Sequence, residues 1–155
     1  MRRVREPFDA VITTGAGYPL DLTYYQCIKG VTAASQIVRE GGRILLFGAC
    51  EEGVGAPEFT KMCREHSSDA GFMRAIEGVP VTVDQWQLEK LALAAQKAGV
   101  SYCLPGLPDD FLSGLWGPAF RDPQQAVTEL MAGLPDDSEV AIVPEGPYVL
   151  AGVDE

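Results

Sequence analysis

Gln26 and Lys29 stand three residues apart, and Tyr25 stands four residues before the lysine. If residues 21–38 form a helix, these spacings place all three groups on one face, where they can meet one ligand. The lysine supplies positive charge, the glutamine amide both donates and accepts, and the tyrosine adds a hydroxyl. Such a set suits a small carboxylate that also bears a hydroxyl. A solvated polar helix face has the same spacing, so spacing alone leaves both readings open. A second stripe of the same segment, Tyr24, Cys27, Ile28, Val31, Ala34, Ser35 and Val38, is fit to pack on a sheet.

Other chemistries find less support. The loop GAGYPLD has Pro19 and Leu20 where a dinucleotide fingerprint needs its third glycine. The loop GACEEGVG carries Glu51 and Glu52, which would repel a pyrophosphate, and no GK[ST] motif occurs. Cys63 and His66 have a spacing that could share a metal, but no second ligand pair accompanies them. No CxxC occurs among the four cysteines, and a disulfide framework is not expected in a leaderless chain of this size. A net charge of -10 over 155 residues argues against nucleic acid as a partner. No apolar run is long enough to span a membrane and no secretory signal is visible, so a cytoplasmic protein is expected.

The elements that would position these residues follow from hydrophobic pattern and punctuation. FDAVITTG (8–15) and RILLFGAC (43–50) read as buried strands. Residues 21–42 read as a helix capped by Asp21 and stopped by Gly41. Helices are predicted over 57–66, 69–78 and 82–99, a strand over 100–106, and two helical segments from Pro108 and from Asp122. Residues 139–152 give a strand, a Pro/Gly break and a second short strand. Strands alternating with helices predict one α/β domain over residues 1–155, a mostly parallel, Rossmann-like sheet flanked by helices. Ligands bind such sheets beyond the carboxyl ends of the strands, which points to the loops TTGAGYPLD and GACEEGVGAPE.

The stretch from Phe8 to Ala34, with Gly17, Tyr18, Pro19, Leu20 and Asp21 followed by Tyr25, Gln26, Lys29 and Gly30, resembles the opening of the C-terminal domain of the LarA-type lactate racemase family. GRILLFGACEEGVGAPEF, VDQWQLEKLA and VAIVPEGPYVLA are similar to later parts of that domain. The resemblance implies a domain that closes over a small 2-hydroxy acid, with Gln26 and Lys29 binding it, Tyr25 lining the pocket and Trp86 packing near cofactor or substrate. It implies racemisation or epimerisation by hydride transfer on a nickel-pincer nucleotide. In the family that cofactor is held by an N-terminal domain, which also supplies two histidine acid/bases. This chain has one histidine, His66, so alone it is expected not to catalyse. Two other readings stand beside this one: a non-catalytic module that binds a partner protein, and a nucleotide-binding domain resting on the glycine loops.

Overall fold

The structure is a computed structural model and describes residues 2–154. Five parallel strands form the main sheet, in the order β5-β4-β3-β2-β6. They are β2 (Phe8–Thr14), β3 (Val38–Phe47), β4 (Gly99–Cys103), β5 (Ala119–Phe120) and β6 (Val140–Val143). A separate parallel pair joins β1 (Arg2–Val4) to β7 (Ala151–Val153). The α/β expectation holds, with helices on both faces. The sequence reading did not anticipate β1 or β5, which have only three and two residues.

The two faces of the sheet differ. One carries α1 (Tyr24–Ser35), α2 (Pro57–Glu65), α3 (Asp69–Ile76), α4 (Gln85–Lys97) and α5 (Asp109–Leu112). Their apolar sides enclose the larger core, which includes Tyr24, Ile28, Val31, Ile44, Leu46, Phe59, Phe72 and Leu91. The other face carries α6 (Pro123–Ala132), which buries Ala126 and Leu130 on Ala10, Leu45 and Cys103. Alternate residues of one strand thus feed opposite cores: Ile44 and Leu46 point to the first, Leu45 to the second.

The helix expected over 21–42 is shorter than its pattern suggested. Its cap is Thr23, whose hydroxyl accepts the Gln26 N–H, and it ends at Ser35. Asp21 lies outside it. Residues 38–42 belong to β3, because Val38 pairs with Phe8 in the sheet. The register then jumps from Phe8↔Val38 to Ala10↔Arg43, and the extra residues on β3 form an irregular bend. Gly41 has φ +69 within that bend, so it makes a strand irregularity and caps no helix. Asp9 holds the bend: its carboxylate accepts from Arg39 Nε at 2.7 Å and from the Glu139 N–H at 2.8 Å. Asp122, by contrast, does cap its helix, accepting the Gln125 N–H at 2.9 Å.

Candidate functional site

Helix α1 brings the sequence-derived residues to the rim at the carboxyl ends of β2 and β3. Two loops meet there, residues 15–23 after β2 and residues 48–56 after β3. Asp21 ties them together. Its carboxylate accepts the Ala49 N–H at 3.0 Å and its carbonyl accepts the Cys50 N–H at 2.8 Å. The first turn of α1 extends the joint, since the Tyr24 and Tyr25 N–H groups donate to Gly53 O and Val54 O. These donors would otherwise be orphaned at a helix start. Gly15 makes room: a Cβ there would come within 2.7 Å of both Asp21 Cβ and Cys27 Sγ. The Tyr18–Pro19 peptide bond is cis, and Tyr18 is exposed.

Gln26 and Lys29 lie side by side on this frame. Lys29 Nζ donates to Gln26 Oε1 at 2.6 Å, Lys29 is exposed and Gln26 is half-buried. The bond leaves two ammonium protons and both Gln26 amide protons available, four donors within one helical turn. Gln26 borders a shallow open cleft of about 400 Å³ with Thr23, Tyr25, Glu52, Gly55 and Asp84. The pair therefore neither packs into the interior nor turns to the far side of the domain.

Tyr25 is half-buried and held on two sides. Its ring meets Phe59 edge-on at 5.0 Å and Trp86 edge-on at 6.4 Å. Its carbonyl accepts from Gln87 Nε2 at 2.8 Å, which links α1 to the first turn of α4. Burial pushes the Tyr25 phenol above its ordinary pKa, and the Asp84 carboxylate beside it adds to the effect. Tyr25 is therefore a protonated hydrogen-bond donor at neutral pH. Trp86 is 51% exposed, with much of its surface free beside Tyr25.

Residue patterns had not singled out Asp84 or the joining role of Asp21. Asp84 adopts a left-handed conformation, φ 62, directly before α4. Ala16 and Cys50, the other non-glycine residues with positive φ among the described residues, sit in the two rim loops. Backbone of this kind costs about 1–3 kcal/mol per residue and collects where surrounding contacts impose it. Nothing in a lone sequence marks a left-handed alanine or cysteine. Cys63 and His66 line a different cavity, and His66 packs edge-on against Phe72 at 5.2 Å.

Fold and rim together define a parallel α/β domain that presents polar side chains at its strand ends. Residues 4–151 match the family described as the lactate racemase C-terminal domain, and the chain belongs to that family. It is 28% identical to the lactate racemase of Thermoanaerobacterium thermosaccharolyticum over 148 residues, which cover 94% of this chain and 35% of that protein. It is 25% identical to the lactate racemase of Lactiplantibacillus plantarum over 141 residues, 89% of this chain and 33% of that protein. The solved lactate racemase apoprotein from T. thermosaccharolyticum superposes with a TM-score of 0.83 at 27% identity, covering 97% of this chain and 36% of that one. The chain thus spans about a third of the length of the curated relatives it matches.

Proposed function

We infer that this chain is the substrate-closing part of a 2-hydroxyacid racemase or epimerase, completed by an N-terminal racemase-type domain on the same or a separate chain. The observation that carries this is the Gln26–Lys29 pair, bonded at 2.6 Å and open to solvent at the strand-end rim. The ammonium neutralises the substrate carboxylate through charge-assisted hydrogen bonds, about twice as strong as neutral ones. The free Gln26 amide and the protonated Tyr25 phenol donate to the remaining oxygens. Holding the carboxylate fixes the neighbouring alcohol carbon, which is a positioning effect. Closure against the partner domain would remove water from this face and strengthen each contact.

A nickel-pincer nucleotide, the cofactor that the family resemblance implies, would supply hydride acceptance and return at the alcohol carbon. The residues of this chain do not fit a nickel site: among the described residues no three His, Cys, Asp or Glu side chains cluster to hold a metal. The metal and the acid/base groups are accordingly assigned to the partner domain. Trp86, half of whose surface is exposed, is the aromatic group that the family resemblance would pack near cofactor or substrate.

The test is Lys29→Ala in the complete enzyme assembled with its N-terminal domain. Turnover of the 2-hydroxy acid should be abolished while the variant chain keeps the wild-type circular dichroism and thermal midpoint. Retained turnover would remove Lys29 from the site.

A further inference from the structure

The segment between α3 and α4 forms an apolar ledge. Val79, Val81 and Val83 alternate along it and are 55%, 79% and 72% exposed. One exposed valine is ordinary, whereas a run of three beside a groove marks a surface that something covers. The ledge is pinned to the start of α4. The Thr82 N–H and hydroxyl donate to the Oε1 of buried Gln85 at 3.1 and 3.4 Å, and the Gln85 N–H donates back to Thr82 O at 3.3 Å. The three valines, with Met62, Phe72 and Ile76, line a groove of about 600 Å³ between α2, α3 and the ledge. Its α2 wall is polar: Glu58 and His66 line it, and Lys61 and Glu65 pair there at 3.6 Å.

The groove opens next to the cleft beside Gln26. Ala56 and Asp84 line the cleft, and Glu58, Val83 and Gln85 line the groove. The two openings thus share both walls, the starts of α2 and α4. A body large enough to close over Gln26 and Tyr25 meets the ledge in the same approach. The chain spans about a third of the curated relatives it matches, and its family is described as the lactate racemase C-terminal domain. About two thirds of such a protein therefore lies outside this fold and is available to cover it.

We propose that the ledge and its groove are a docking surface for the N-terminal racemase-type domain, which brings an apolar surface to the valines and polar groups to the α2 wall. Naming this partner rests on the 2-hydroxyacid reading. The surface itself uses neither Gln26 nor Lys29, so the contact that holds the domains together is separate from the groups that hold substrate.

The test is amide hydrogen exchange at Val81 and Val83, whose N–H groups bond to no described residue. Both should exchange at least about 10-fold more slowly in the complete enzyme than in this chain alone, because a covered amide exchanges only when the contact opens. Val81→Glu puts a charge against the docked surface, which is costly without a partner. It should return both amides to the fast rate while this chain keeps its thermal midpoint. Lys29→Ala should leave the protection in place. Retained turnover in Lys29→Ala with protection intact would remove the 2-hydroxyacid reading and keep the interface. The proposal is overturned by unchanged exchange on assembly, by protection that survives Val81→Glu, or by protection of this chain alone that grows with its concentration, which would make the ledge a contact between copies.

Discussion

The two ends of helix α1 are built by different means. The amino end is joined to a distant loop by Asp21, by the Tyr24 and Tyr25 N–H groups and by the Thr23 cap, with left-handed Ala16 and Cys50 in the loops around it. The carboxyl end turns into β3 within two residues. It is held by short-range bonds from Gln36 and Ile37 and by Lys97, whose ammonium donates to Ser35 O at 2.6 Å. A cation on the last carbonyls of a helix is an ordinary terminator. The end that presents Gln26 and Lys29 thus depends on polar contacts that fix two loops at once. The other end needs only to stop.

The largest effect is expected between the two ends. Gly30 lies against the end of β2, where a Cβ would come within 2.5 Å of Thr14 O. Gly30→Ala should cost about 1–3 kcal/mol by overpacking and push α1 off the sheet, lowering both the urea midpoint and turnover in the complete enzyme.

Next come substitutions that separate the ends. Asp21→Ala leaves the Ala49 N–H without its carboxylate and should cost about 1–3 kcal/mol. It should also raise KM for the proposed 2-hydroxy acid in the complete enzyme, because the rim loops lose their tie. Lys97→Met should cost about 1 kcal/mol in a denaturant titration and leave the kinetics unchanged. If Lys97→Met disturbed KM as much as Asp21→Ala, the division of labour between the ends would be wrong. Thr23→Ala should cost about 1 kcal/mol, the usual worth of an N-cap, with a smaller effect on KM than Asp21→Ala.

The smallest expected effect lies at the bend of β3. The Glu139 backbone N–H, and then Arg39, hold the Asp9 carboxyl below its ordinary pKa of 3.8. A carboxyl whose pKa is depressed on folding contributes stability above its unfolded value and loses it as pH falls through the folded value. Stability should therefore decline on acidification below about pH 4. Asp9→Asn should flatten that part of a urea-midpoint profile, and an unchanged slope would remove Asp9 from the account.

Much of this protein was legible as pattern. FDAVITT and RILLF carry the unbroken apolar runs AVI and ILLF because parallel strands are buried on both faces. Pro57, Pro123 and Asp122 mark helix starts because their chemistry is local. The i, i+3 and i+4 spacing of Tyr25, Gln26 and Lys29 placed them on one face, since that depends on helix geometry alone.

What the sequence did not disclose depends on distant partners. Residues 38–42 follow a helical pattern and became strand because Phe8 and Asp9 were there to pair and bond with them. Asp21 resembles an N-cap and ties two loops instead, because Ala49 and Cys50 present their N–H groups to it. Asp84 reaches Tyr25 only because α4 packs on α1. Local geometry fixes which side chains share a face. Contacts between residues far apart in the chain decide what that face meets.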